Sequence, residues 1–231
     1  TGVLGRMAVL TAARGRGAGA AMLAALEEEA ESAGLAEIEL HAQLPAQGFY
    51  RRAGYLAHGP TYLEAGIEHV TMRKAVPVRR PVEDADAPAL IDLIGSCWAP
   101  YPGCVLDVDG EEPWLRAPAS AYTSWRGRMW VAELDGAVVA CVGMKPAPAG
   151  VELKSLYVAA AARRRGLGER LTRLVEEQAV ADGARRVEMW SDTRFADAHR
   201  LYARLGYRRL PGERELHDRS RSVEYHFAKD L

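Results

Sequence analysis

The chain has 231 residues, 48% of them apolar and 26% charged, with a formal net charge of -1. That length suits one large domain or two smaller ones, and the near-neutral balance excludes the broad basic field of nucleic-acid and anionic-membrane binders. No apolar run reaches the roughly 18 residues of a membrane span and no secretory pattern opens the chain, so a cytoplasmic protein without a membrane partner is expected. Cys97, Cys104 and Cys141 fit neither a disulfide framework nor a zinc spacing, and no metal site is expected.

In chain order, Val3 to Leu10 reads as a strand that ends on Met7, Ala8 and Val9. A glycine loop, Arg14-Gly15-Arg16-Gly17-Ala18-Gly19, leads into a helix whose apolar face is Met22, Leu23, Leu26 and Ala30. Gly34 is suited to a left-handed C-cap. A strand over Ile38 to Ala42 follows, then the run Phe49-Tyr50-Arg51-Arg52-Ala53-Gly54-Tyr55. Pro77 to Arg80 reads as a strand and Asp84 to Ile94 as an amphipathic helix with an acidic first turn. After a Pro/Gly/acid-rich loop over Ala99 to Pro118, a short helix is expected from Ala119 to Trp125. Met129 to Glu133 and Val138 to Lys145 form a hairpin around Asp135-Gly136. A strand ending at Leu156, Tyr157 and Val158 feeds Arg163-Arg164-Arg165-Gly166-Leu167-Gly168 and a helix with Leu171, Leu174, Val175 and Ala179 inward. Gly183 ends it, Val187 to Ser191 is a strand, and Leu201-Tyr202-Ala203-Arg204-Leu205-Gly206-Tyr207 closes the pattern.

The second half of that reading repeats the first. Arg14 and Arg163, like Gly34 and Gly183, are 149 positions apart, while Tyr50 and Tyr202 are 152 apart. A colinear strand, glycine loop, helix, strand and Tyr-x-x-x-Gly helix is not a chance match at one glycine motif. The expectation is an α/β (α+β) protein with a mixed central sheet and flanking helices, present as one partial and one complete copy: residues 1-75 and 76-231. On this register about seventy residues of a first lobe have no counterpart ahead of Val3.

A strand entering a helix through Arg-x-x-Gly-x-Gly aims several backbone N–H groups at one point, and its glycines admit a close ligand. That geometry suits a pyrophosphate; a tight turn with no ligand is the alternative. The Rossmann pattern and the P-loop are both absent.

Together with the Leu-Tyr-Val strand and the Leu-Tyr-x-x-x-Gly-Tyr helix, these motifs resemble the GNAT superfamily of acetyl-CoA-dependent N-acetyltransferases. The resemblance covers Pro77 to Leu231 as a full unit and Val3 to Lys74 as the second half of another. Leu40-His41-Ala42-Gln43 and Glu64-Ala65-Gly66-Ile67-Glu68-His69 are similar to the ElaA-like branch, and Trp190 to Phe195 resembles an uncharacterised subgroup. The resemblance implies an enzyme that takes acetyl-CoA as co-substrate and transfers its acetyl group to a small-molecule or peptide amine by direct attack. It implies that Arg163, Arg164, Arg165, Gly166, Leu167 and Gly168 bind the CoA pyrophosphate, with Arg14, Arg16, Gly17, Ala18 and Gly19 as their counterparts. It further implies that Leu156, Tyr157 and Val158, matched by Met7, Ala8 and Val9, lie along the pantetheine. A bulge near Leu156 to Val158 would polarise the thioester as an oxyanion hole does.

Tyr202 matches the family tyrosine that protonates the leaving sulfur, and Tyr50 is its counterpart; packing on an amphipathic helix is the competing role. Glu152 is the candidate base, or else a solvated acid at a strand start. Val3 stands at the matching position, so only the second copy is expected to turn over. Phe195 replaces an asparagine common in the family, and His199 is either an assisting base or polar surface. His41 and His69 are read as structural or substrate-lining and not as metal ligands, since no ligand set surrounds them. In the loop from Cys104 to Glu112 four carboxylates, Asp107, Asp109, Glu111 and Glu112, either attract a cationic amine or are simply solvated. Its Asp-x-Asp-Gly fails the EF-hand spacing. Trp98, Tyr101 and Trp114 line the acceptor or pack the loop. A regulatory or scaffolding module that binds acyl-CoA without turnover is the alternative function, and a homo-oligomer is left open.

Overall fold

The computed structural model describes residues 1–231. They form two compact units: Thr1–Arg79 with Glu133–Gly136, and Arg80–Ala132 with Ala137–Leu231.

Unit 1 runs β1 (Gly2–Leu4), α1 (Ala18–Ser32), β2 (Glu37–Gln43), α2 (Gln47–Arg52), β3 (Leu56–Glu64) and β4 (Ile67–Ala75). Its four strands lie in the order β1-β2-β4-β3, with β1 parallel to β2 and the rest antiparallel. Leu23 of α1 packs on Ile38, Leu40, Tyr55 and Met72, which form a single small core.

Unit 2 is built on a seven-stranded sheet in the order β10-β11-β9-β8-β7-β6-β5. The strands are β5 (Val78–Pro81), β6 (Arg128–Leu134), β7 (Ala137–Ala147), β8 (Gly150–Val158), β9 (Arg186–Asp192), β10 (Arg208–Glu215) and β11 (Val223–Asp230). The helices are α3 (Ala87–Trp98), α4 (Pro118–Ser124), α5 (Leu167–Ala181) and α6 (Ala196–Arg204). One core joins Leu171, Val175 and Ala179 of α5 to Val142, Leu153, Val187 and Met189 of the sheet. A second joins Leu90, Leu93 and Ile94 of α3 to Tyr122, Val131 and Cys141. Arg80 and Asp86 fix the entry to α3 through two hydrogen bonds of 2.8 and 2.7 Å, which hold the Asp86 carboxyl below its usual range.

Two expectations need correcting, for one reason. The strand read over Val3 to Leu10 stops at Leu4, so Met7, Ala8 and Val9 lie in non-regular chain. The matching Lys154 to Val158 stays a strand because β7 pairs with it, whereas the sheet of unit 1 has no strand beyond β1. Likewise Met22 and Leu26 are each 42% exposed, although the equivalent Leu171 and Val175 are fully buried. Hydrophobic periodicity records which residues can face a core, not whether the covering strand is there. The hairpins β3–β4 and β10–β11 escaped the sequence reading; for the first, the turn at Ala65-Gly66, both at positive φ, was the available signal.

Both units carry the same half-buried clamp. In unit 2 Glu176 of α5 accepts from Lys229 of β11 at 2.9 Å, and Lys229 lies 5.6 Å above the Tyr207 ring. In unit 1 Glu27 accepts from Lys74 at 2.6 Å, with Lys74 5.5 Å above Tyr55. Burial and the carboxylates raise the pKa of both tyrosines, so both stay neutral. Removing one ion of such a pair strands the other in a poorly solvated site. Glu176→Ala is therefore expected to cost about 2–3 kcal/mol in urea unfolding, and Glu176→Met with Lys229→Met markedly less.

Candidate active site

The site of unit 2 begins with a fault in the sheet. β8 and β9 pair in parallel only at Val151–Val187 and Glu152–Glu188, and then separate although both strands continue. On the other side of β8 the register with β7 slips between Cys141–Tyr157 and Gly143–Lys154, which leaves one extra residue on β8. Ser155 takes it up at φ 56°, a left-handed conformation that a non-glycine adopts only when its surroundings hold it. The expected bulge is thus present, just ahead of the Leu156 to Val158 stretch.

Its support comes from residues the sequence did not flag. Tyr122 donates to Ser155 Oγ at 3.0 Å and Cys141 Sγ to the Ser155 carbonyl at 3.2 Å. The Tyr122 ring lies so close over Gly143 that a Cβ there would overlap it. Arg6, the counterpart of Ser155, has the same positive φ of 58°.

The glycine loop follows a 3-10 turn at Ala160–Ala162. Arg164 and Gly166 both have positive φ, and α5 starts at Leu167, so its first-turn N–H groups point out of the helix end. Arg164 and Arg165 are exposed around them, but Leu167 is buried in the core and offers only its backbone. Arg163 turns back, its Nε donating to the Val158 carbonyl at 2.9 Å. Gly168 is small for packing: a Cβ would stand 3.2 Å from Leu201 and 3.8 Å from Val158. Unit 1 repeats the pattern, with positive φ at Gly15 and Gly17, Arg14 Nε on the Val9 carbonyl at 3.2 Å, and Gly19 against Val9 and Phe49. Arg16 is exposed and Ala18 opens α1.

A cleft of about 150 Å³ opens where β8 and β9 part, lined by Glu112, Glu152, Ser155, Leu156, Tyr157 and Tyr202 among others. Tyr202 is buried beside Tyr207 and Phe227, and burial pushes its pKa up to about 12 despite a hydrogen bond with Ser191. Tyr50 is also raised by burial. Glu152 lies on the cleft wall but is paired with Lys145 at 3.1 Å.

Of the four loop carboxylates only Glu112 lines the cleft. Asp107 accepts from Gly110 N–H and Arg219, Asp109 pairs with Arg116, and Glu111 accepts from Arg219 N–H. Glu112 holds the Trp114 indole N–H, and desolvation raises its pKa. Trp98 also lines the cleft, donating to the Tyr157 hydroxyl at 3.2 Å, while Tyr101 packs edge-on against Phe195. His199 does not line it; its Nε2 is 3.2 Å from Ser191 Oγ and burial lowers its pKa. In unit 1, His41 stands near Glu39 and Glu64, and His69 contacts the Ile67 carbonyl at 2.8 Å. No group of three metal-ligating side chains exists. Sequence reasoning missed the far wall, where Arg214 lies 4.3 Å over Trp190 and pairs with Glu224. Both Arg214 and Glu224 sit on the unread hairpin β10–β11.

Residues 89–207 match the family model described as "Acetyltransferase (GNAT) family", and residues 1–76 match a second, "Acetyltransferase (GNAT) domain". The chain belongs to the GNAT acetyltransferase family. Members of this family use acetyl-CoA. The uncharacterized protein YyaT of Bacillus subtilis is 37% identical over 76 residues, which are 33% of this chain and 51% of that protein. The chain thus spans about half the length of the curated relatives it matches. Among solved structures, an acetyltransferase from Streptococcus agalactiae is similar at TM-score 0.56 and 18% identity, over 66% of this chain and 98% of that one. PaiA N-acetyltransferase from Thermoplasma acidophilum, in complex with coenzyme A, matches at TM-score 0.52 and 15% identity, over 67% of this chain and 99% of that one. At these identities the two structures show a shared fold alone. No helix is long and apolar enough to cross a membrane.

The support under the bulge is testable. Gly143→Ala should displace Tyr122, cost about 1–3 kcal/mol in thermal or urea unfolding, and weaken CoA binding by calorimetry. Tyr122→Phe, which deletes only the hydroxyl, should cost about 1 kcal/mol.

Proposed function

We propose that this protein is an acetyl-CoA-dependent N-acetyltransferase whose working site is in unit 2. The observation that carries this reading is the parting of β8 from β9 at the Ser155 bulge, with Tyr202 and Glu112 in the cleft so formed. The first-turn N–H groups of α5, with Arg164, Arg165 and Gly166, receive the CoA pyrophosphate. Arg163 and Gly168 act one step back: the arginine fixes the end of β8 and the glycine lets α5 approach α6. The thioester lies along Leu156 to Val158, where a backbone N–H freed by the bulge polarises its carbonyl.

The acceptor enters as an ammonium ion. Of the carboxylates lining the cleft, Glu152, Asp192 and Glu224 already have cations in Lys145, Arg194 and Arg214 and Asp218 accepts from the Ser222 N–H, so Glu112, whose pKa is raised, is the one poised to meet it. Its raised pKa equips Glu112 to take a proton, while Glu152, the base that the family pattern suggests, is engaged by Lys145. The neutral amine attacks the thioester carbon, the tetrahedral intermediate collapses, and the C–S bond breaks. Tyr202, still protonated at neutral pH, gives its proton to the thiolate. A small-molecule or peptide amine fits these requirements. Unit 1 has the loop and Tyr50, but its sheet has no strand beyond β1 and Met7 to Val9 form no strand wall for a thioester, so it binds without turning over.

Thiol release from acetyl-CoA over a panel of primary amines tests the reading. Tyr202→Phe is expected to lower kcat about 100-fold with little change in acetyl-CoA affinity. Glu112→Gln should raise the acceptor KM and remove the acid limb that the Glu112 carboxyl gives to the rate, which falls as pH drops through its raised pKa. CoA binding without release across the panel would overturn catalysis in favour of an acyl-CoA-binding regulatory module.

A further inference from the structure

Unit 2 carries a charge in its cleft that the transfer steps leave unused. Lys154 of β8 lines the cleft beside the bulged Ser155 and is half-buried, with no carboxylate at ion-pair distance. The other lining cation, Arg214, is held by Glu224. Lys154 stands near enough to Glu112 for its charge to oppose, in part, the desolvation that raises that carboxyl. An ammonium without an anion and a carboxylate without a cation thus share one small space. A ligand that carries both opposite charges satisfies the two at once.

The walls around these charges are apolar and tied together. Trp98, Leu106, Trp114 and Leu216 line the same cleft. Leu106 belongs to the Cys104–Glu112 loop and Leu216 to the connection from β10 to β11, and the two segments are clasped to each other. Ser220 Oγ accepts from the Val105 N–H at 2.8 Å and donates to the Val105 carbonyl at 3.2 Å, so it holds both backbone groups of one residue. The Arg219 N–H donates to Glu111 at 2.6 Å and its guanidinium to Asp107 at 3.1 Å.

We propose that the acceptor is a small free amino acid with an apolar side chain, its ammonium at Glu112 and its carboxylate at Lys154. The assignment rests on the N-acetyltransferase reading of unit 2 and narrows it. A polyamine brings further ammonium groups toward Lys154, where they repel. A peptide N-terminus replaces the carboxylate by an amide and leaves the lysine without an anion, and its chain has to pass the Ser220–Val105 clasp. An amine bearing a phosphate calls for more than one cation, and Arg214 is already taken.

The test compares L-leucine and L-methionine with their amides, their decarboxylated amines, spermidine and a leucine-led tripeptide. It reads thiol release from acetyl-CoA and, separately, calorimetric binding in the presence of CoA. The amino acids should show kcat/KM about tenfold above their amides and amines, with the difference in KM. Lys154→Met should raise the amino-acid KM about tenfold and leave that of the decarboxylated amine unchanged, while Lys154→Arg restores the preference. Lys154→Met should also weaken calorimetric binding of the amino acid by the same factor. That binding, with no thiol released from any amine, supports the assignment and overturns only the catalytic reading. Equal use of amino acid and amide, a faster tripeptide, or no amino-acid binding at about 10 mM overturns the assignment.

Discussion

A parallel pair of strands that part after two residue pairs is an expensive thing to build, because each departing backbone group must find another partner or open space. Here the parting is enforced from outside the pair. Gly143 has no side chain, so the Tyr122 ring can lie flat on β7 and send its hydroxyl to Ser155. Cys141 takes the carbonyl of the same residue. Held at both ends, Ser155 stays left-handed, β8 gains one residue over β7, and its far half swings away from β9. The cleft descends from that one inserted residue, and Leu156, Tyr157 and Tyr202 line it.

The electrostatics of the cleft are set by neighbours. Glu152, Asp192 and Glu224 have cations at ion-pair distance, so little of their charge is available to a ligand. Glu112 is held by a neutral indole donor and by burial, which raises its pKa. Tyr202, deeper still, is raised to about 12. Burial thus raises the pKa of both groups, a carboxyl and a phenol lining one cleft.

The two units show what a repeat keeps when its surroundings differ. The positive φ values of the loop, the arginine that ties the loop to its strand, the packing glycine and the half-buried Glu–Lys–Tyr clamp recur in both. Each is satisfied within a single half of the fold. Features that need the neighbouring strand, namely the ladder beyond Leu4 and the burial of Met22 and Leu26, do not recur.

The sequence by itself determined what is local or periodic. The glycine loops needed positive φ, the helices needed a 3.6-residue apolar face, and their colinearity at one offset revealed the repeat and the family before any coordinate was known. Tyr202 was legible because it sits in the repeated motif. Only the tertiary structure decided which of four loop carboxylates lines the cleft, because Asp107, Asp109 and Glu111 are claimed by Arg219 and Arg116 or by backbone far along the chain. It also tied Arg163 to the end of β8, and it assembled Gly143, Tyr122 and Ser155 under the bulge. Those three are ordinary residues in sequence. Their role comes from a strand register, and register is fixed by pairing between segments that no local pattern brings together.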